Sequence, residues 1–456
     1  MISYAQVVKK QKEFFQTELT KELAFRLEAL RTLRQAIKDS EDDITNALKL
    51  DLNKSEFDAY STEIGIVLEE IRFTLKNLEK WAKPRRVKTP MTHVGSKSYI
   101  YPEPYGVTLI ISPWNYPFQL AIAPLIGAIA AGNCAILKPS ELTPNTSEVL
   151  ARLIKEHFPE EYITVVEGGV EVSQSLLHEK FDYIFFTGSV PVGKIIMEAA
   201  SKHLTPVTLE LGGKSPCIIH EDANIKVAAK RIAWGKFMNA GQTCIAPDYL
   251  FVHKKIKTEF LNQLKVSIKE LYGDTPLKND SFTKIVSERH FKRLETFLQD
   301  GSIFGGGKTD PEQLKIEPSI LTNISWEDQV MEDEIFGPVL PVLEYDDLPP
   351  ILIEIQQRPK PLALYIFSES QAIQNQVLNS VSFGGGCIND TVYHISSPYL
   401  PFGGVGSSGT GAYHGKGSFD TFSHEKSILK QTTRFDIPLR YPNFKNGLKY
   451  IKMVFK

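Results

Sequence analysis

From Gly106 onward the chain repeats one pattern: a short, continuously apolar, β-branched run, then a helical stretch, then another run. VTLIIS, NCAILKPS, ITVVEG, YIFFTGS and TPVTLELGG are these runs, and helical stretches separate most of them. Strands buried on both faces read as unbroken apolar segments, and their alternation with helices requires crossover connections. The rhythm therefore predicts a doubly wound parallel sheet. A second series follows Gly212-Gly213: the strand SPCIIH, a helix over roughly Ala223 to Met238, and the strand DYLFVHK. Two adjacent glycines free the backbone to leave one sheet for another. The expected fold is α/β, with two doubly wound domains that meet there.

Ahead of these units, Tyr4 to Trp81 carries apolar residues at spacings of three and four, as in LAFRLEALRTLRQAI, and predicts helices packed on the first sheet. Thr62 and Glu63 open a second helical run, which Lys83-Pro84 closes. The stretch from Thr89 to Tyr105, TPMTHVGSKSYIYPEPY, is turn-rich and β-like and predicts a hairpin or a crossing arm. At the other end, Arg440, Lys445, Lys449, Lys452 and Lys456 stand among apolar residues with no acid between them. A solvated tail is the simpler reading of that segment, and weak attachment to anionic lipid is the other.

A chain of 456 residues is too long for one simple core and predicts two or three domains. Its 52 basic and 54 acidic residues nearly cancel, which gives no electrostatic reason to expect a nucleic-acid partner. Cys134, Cys217, Cys244 and Cys387 form no CxxC pair and stand beside no His at zinc-ligand spacing, so neither a disulfide framework nor a metal site is expected. The N-terminal residues lack a secretory pattern, and the longest apolar stretch, Leu120 to Ala131, falls short of the ~20 residues that cross a bilayer. These features point to a cytoplasmic protein without a transmembrane segment.

Several positions carry chemistry. Cys244, in FMNAGQTCIAP, lies among small residues after a helix end, where a thiolate would have access, although a lone cysteine is more often an inert buried apolar residue. Glu210 ends the strand VTLELGG, at the carboxyl edge where α/β sheets bind ligands; it is a candidate general base or one half of a structural ion pair. Asn115, between Pro113 and Pro117, offers an amide to a developing oxyanion or serves only the turn. Lys138 and Glu141 end the next strand, where they could hold a nucleotide ribose or simply be solvated. Gly188 and Gly193 in FTGSVPVG fall between a strand and a helix, a place for a pyrophosphate, although the GxGxxG fingerprint is missing.

Taken in order, PWNYP, LKPSE, FTGS followed by VG, LELGGKSP, GQTC, EIFGPVLP and PFGGVGSSG resemble the aldehyde dehydrogenase superfamily over roughly two-thirds of the chain. The short N-terminal region and the PFGGVGSSGTGAYHGKGSFDTFSH stretch resemble its class-3 and fatty-aldehyde branch. The resemblance implies that Cys244 is the nucleophile, Glu210 the general base and Asn115 the oxyanion-binding amide, helped by the Cys244 N–H. It implies NAD, with NADP possible, as the cofactor. Trp114, Lys138, Glu141, Gly188, Ser189, Gly193, Glu334 and Phe336 are then its contacts, with Val190 a departure inside the pyrophosphate turn. An aldehyde tunnel is implied, with Tyr116, Trp234, Met238 and Tyr393 as its lining; Phe237 shares the face of Trp234 and Met238, while Lys236 points away. Arg231, one turn before Trp234, would instead suit a carboxylate-bearing substrate.

In domain terms the resemblance implies NAD(P) binding by residues 1–85 and 106–210, catalysis by 212–410, bridging and oligomerisation by 86–105 and 411–440, and a basic tail over 441–456. It further implies a homodimer. A CoA-acylating or phosphorylating relative is the competing enzyme reading, and the presence of Glu210 favours hydrolysis over it. A catalytically silent protein on the same fold is the third reading, opposed by Cys244, Glu210, Asn115 and Glu334 occurring together.

Overall fold

The computed structural model describes residues 4–455. Its first sheet has six strands in the order Gly409–Thr410, Val207–Glu210, Tyr183–Thr187, Val107–Ile111, Cys134–Lys138 and Ile163–Val165. All neighbours are parallel except Gly409–Thr410, which runs antiparallel to Val207–Glu210. The three central strands are buried along their whole length, as their unbroken apolar runs require. The chain enters at Val107–Ile111, winds to one side, and then crosses back to wind to the other. That reversal opens a crevice at the carboxyl ends of the strands, where ligands of such sheets bind. Ser112 to Asn115, Lys138 to Glu141, Thr187 to Ser189 and Glu210 to Gly212 all stand on this one edge.

The second sheet has seven strands, ordered Ser302–Gly305, Ser319–Thr322, Val339–Tyr345, Tyr249–His253, Pro216–Ile219, Ala363–Phe367 and Gly385–Ile388, with only the first antiparallel to its neighbour. Arg85–Val87, Ser96–Pro104 and Ser423–Gln431 form a separate antiparallel arm, in which Ser96–Pro104 pairs with Ser423–Gln431 along nine residues. The helix Gln119–Ala131 is buried on every side, which accounts for the apolar stretch there. Among the described residues, no helix is long and apolar enough to cross a membrane.

Three expectations need correction. No helix starts at Thr62-Glu63. The helix begins at Glu56, where the Ser55 side chain accepts the Asp58 N–H, and runs to Trp81 through a widened π turn at Tyr60–Ile64. The segment from residue 411 is not all bridging. Lys416–Thr421 packs on Gln119–Ala131 so tightly that a Cβ on Gly127 would lie 2.9 Å from both Ser418 Cβ and the Phe422 ring, and just before it Gly409–Thr410, expected with the second unit, returns to the first sheet. Val190 is not in the pyrophosphate turn; it opens the helix Val190–Ser201. The tail forms a short helix, Gly447–Val454, with Leu448, Tyr450, Ile451 and Met453 exposed, and Lys456 lies outside the described residues.

Candidate active site

The helix Ile225–Phe237 ends abruptly in three consecutive residues with positive φ: Asn239 at 53°, Ala240 at 51° and Gly241 at 72°. Such a run is costly for residues with a Cβ, and it turns the chain sharply just before Thr243 and Cys244. Gly241 cannot be replaced cheaply, because a Cβ there would lie 2.2 Å from the Gly337 carbonyl oxygen. Buried polar contacts hold the turn. The Gln242 side chain donates to the Asn239 and Lys284 carbonyls and accepts the Val286 N–H, while Tyr365 donates to the Ile245 carbonyl at 2.6 Å from below.

Against this turn lies the loop that follows Val107–Ile111. Asn115, nearly fully buried, donates one amide hydrogen to the Gln242 carbonyl at 3.0 Å, and Asn239 donates in return to the Asn115 carbonyl at 2.9 Å. The Tyr116 and Thr243 hydroxyls share a hydrogen bond of 2.7 Å. The Asn115 loop and the turn that leads into Cys244 are therefore sewn together at Asn239, Gln242 and Thr243.

Two carboxylates lie near enough to Cys244 for their charges to act on its thiol. Both oxygens of Glu210 are buried without a hydrogen-bond partner, and burial holds its carboxyl well above the usual range. Glu334 reaches across to Gly212, so closely that a Cβ there would overlap its carboxylate. Burial, then the charge of Asp248, lifts Glu334 to about 8, against the Gly213 N–H and the cations Lys214 and Arg293. The backbone of Glu334 is fixed from several sides. Lys214 bonds Asp248 at 2.6 Å and the Val330 and Asp333 carbonyls at 2.9 Å, Asp248 accepts the Ile335 N–H, and Arg293 donates to the carbonyls of Glu334 and Ile335. Burial pushes the Cys244 thiol far up, and the charges of Glu334 and Glu210 act in the same direction, opposed by the backbone N–H groups of Cys244 and Ile245.

The crevice fits a dinucleotide. Ser189 caps the twelve-residue helix Val190–Ser201 without a side-chain bond to it, which leaves first-turn N–H groups and the positive helix end facing the crevice. Gly188 brings the backbone close, since a Cβ there would strike the Phe186 ring. Lys138 is buried and donates to the Pro139 carbonyl at 2.7 Å and to Glu141 at 3.4 Å, so both belong to one strand end. Trp114 meets Phe336 edge-on at 5.3 Å and His290 at 5.1 Å, and Phe336 is itself held at a φ of 53°.

The residues expected along a tunnel separate into two groups. Trp234 and Met238 are half-buried, and the Trp234 ring lies 6.3 Å from that of the exposed Tyr393. Tyr116 is buried between Lys54 and Thr243. Phe237 does not share the open face; it is fully buried, with its ring edge-on to Tyr272. Lys236 does lie away from that face, but in the core, where burial lowers it to about 8. Arg231 is already engaged, donating to the Asn389 carbonyl near Asp390. Sequence reasoning missed Tyr413, a buried phenol within reach of the charges of Glu210 and Cys244. Its place in a Gly-rich stretch gave no periodic signal. Among the described residues no cluster of His, Cys, Asp and Glu could hold a metal ion.

Comparison with known proteins agrees with this arrangement. The model of the aldehyde dehydrogenase family matches residues 3–428. The chain is 52% identical over 447 residues to 4,4'-diaponeurosporen-aldehyde dehydrogenase of Staphylococcus aureus (strain NCTC 8325 / PS 47), covering 98% of this chain and 97% of that protein. It is 44% identical over 445 residues to the dimeric NADP-preferring aldehyde dehydrogenase of Canis lupus familiaris, covering 97% and 98%. A solved structure described as the substrate-bound state of Staphylococcus aureus AldH superposes with a TM-score of 0.98 at 51% identity over the whole of both chains. With its parallel sheets, its crevice and its cysteine near two carboxylates, the chain belongs to the aldehyde dehydrogenase family, whose members oxidise aldehydes with NAD(P).

Proposed function

We propose that the protein oxidises medium- to long-chain aliphatic or aromatic aldehydes to carboxylic acids through a thioester on Cys244. The observation that carries this reading is the Asn115 amide bonded to the turn that leads into Cys244, with a partnerless buried carboxylate, Glu210, near enough for its charge to act on the thiol. Glu210 takes the thiol proton and returns it to solvent, and the sulfur attacks the aldehyde carbon. The second amide hydrogen of Asn115 and the Cys244 N–H receive the oxyanion, and the first hydrogen, held by Gln242, keeps the amide aimed. Glu334 and Phe336, Lys138 and Glu141, and Gly188 and Ser189 with Gly193 in the first turn of the helix they precede would hold NAD(P), which would supply the acceptor for the aldehyde hydride. Glu210 then draws a proton from water, the water oxygen opens the thioester, and the acid leaves as the thiol is restored.

Half-buried Trp234 and Met238, with Arg231 engaged elsewhere, support an apolar entrance over one that recognises a carboxylate. Glu141, where it would meet the adenosine ribose, favours NAD with NADP usable, and a homodimer is proposed through the arm, whose outer strand Ser423–Gln431 is exposed along most of its length. Residues 4–85, 106–210 and 402–422 form the cofactor-binding unit in this reading, residues 213–401 the catalytic unit, and the enzyme is cytoplasmic.

Rapid mixing tests the chemistry. Glu210→Gln should release one equivalent of reduced cofactor and then stall, and Cys244→Ala should release none. Unchanged steady-state turnover in Glu210→Gln would remove the base from the mechanism.

A further inference from the structure

We infer that the buried Lys54–Glu63 ion pair is a positioning unit for catalysis, setting the Asn115 loop and the Cys244 loop relative to each other. Neither residue touches the reacting atoms, so the inference rests on Cys244 and Asn115 acting as proposed above. Both side chains are excluded from water, at 1% and 0% exposure, and are bonded directly to each other. A buried ion pair contributes little stability compared with apolar residues of the same shape, so its presence asks for another reason.

The contacts supply one. Glu63 lies in the π turn Tyr60–Ile64, and an irregular turn of that kind inside a helix frequently marks a functional position. One Glu63 oxygen takes Lys54. The other accepts the N–H groups of Phe118 and Gln119, both at 3.0 Å, and so fixes the start of Gln119–Ala131 directly after the Asn115 loop. Lys54 places its ammonium 4.1 Å from the centre of the Tyr116 ring, and the Tyr116 hydroxyl reaches Thr243, next to Cys244. Carboxylate and ammonium thus grip the loop at residues 116, 118 and 119, and Tyr116 carries that grip to the nucleophile's turn. Asp58 is the remaining charge near the pair.

The test is a double-mutant cycle between the pair and Asn115, read as the single-turnover rate of reduced-cofactor formation in the full-length enzyme. Lys54→Met combined with Glu63→Gln keeps the shape and leaves no buried charge unpaired. In the parent background it should slow the burst about tenfold or more, because small misplacements of reacting groups are costly. In an Asn115→Ala background the same change should add less than about twofold, since the loop has already lost what the pair positions. Cofactor affinity, read by fluorescence, should stay within about twofold throughout. A stable variant with the parental burst rate, or losses that multiply across the cycle, would overturn the inference. If that variant does not fold, Tyr116→Phe severs only the link to Thr243 and should show the same non-multiplying loss, with multiplying losses again overturning it. Cys244→Ala is run alongside. A burst that survives it brings down the proposed chemistry and this inference together; its disappearance, with pair variants at the parental rate, brings down the positioning role alone.

Discussion

Glu334 is a carboxyl placed where water cannot fully reach it, and the cost should be measurable in the cofactor-free protein. A carboxyl ordinarily near 4.5 whose folded value stands at about 8 binds its proton more tightly in the folded state than in the unfolded chain. Below pH 4.5 both states are protonated and nothing is lost. Between 4.5 and 8 the unfolded chain releases the proton first, so stability falls as pH rises, and above 8 the loss is constant. At about 1.4 kcal/mol per pH unit the ceiling is about 5 kcal/mol. Glu334 is only half-buried, so water screens part of this and about 2–3 kcal/mol is expected. Glu334→Gln keeps the shape and removes the titration. Urea unfolding of the two proteins at about pH 5 and about pH 9 should find the Gln variant gaining that amount on the alkaline side only. The same change removes the charge that most opposes the Cys244 thiolate, so alkylation by iodoacetamide should quicken. A stability difference that does not change with pH would refute the reasoning.

Other outcomes follow from features already described. Gly241→Ala combines a φ of +72° with a Cβ 2.2 Å from a backbone oxygen, so kcat should fall at least about tenfold and the melting temperature should drop; parental values would mean that the turn can relax. Catalytic efficiency should be higher with NAD than with NADP if Glu141 holds the adenosine ribose as proposed, since its charge would then repel a 2′-phosphate, and a strong NADP preference would place Glu141 elsewhere. Along straight-chain aldehydes from acetaldehyde upward, each buried methylene should raise catalytic efficiency up to about fourfold, from ~0.8 kcal/mol apiece. A flat series with succinic semialdehyde as the best substrate would give the pocket to Arg231.

What could be read from the sequence is what local chemistry decides. Val107–Ile111, Cys134–Lys138 and Tyr183–Thr187 show themselves because a strand covered on both faces must be apolar throughout. The Pro and Gly breaks after them show where the crevice edge lies. What escaped depends on contacts distant in sequence. Thr62-Glu63 looks like a helix start because Thr and Glu suit a first turn, yet Glu63 serves residues 118 and 119. Spacing put Phe237 beside Trp234 and Met238, and spacing cannot tell a wall of the core from a wall of a tunnel. The strand Gly409–Thr410 is two residues long and has no period to read.

That two-residue strand also governs the order in which the molecule can be built. Val207–Glu210, which carries the proposed base, is paired on its outer side only by Gly409–Thr410, and the buried amide of Asn133 finds the Phe422 carbonyl at 2.9 Å. On the ribosome, most of the first sheet emerges some two hundred residues before these partners do. A nascent chain must therefore carry an open sheet edge through synthesis of the whole second sheet, a state prone to wrong pairing. Emergence of residues 409–422 closes that edge, so a late segment completes the first unit begun. A fragment ending near residue 400 would retain every residue proposed for the chemistry and still lack the strand that secures its base.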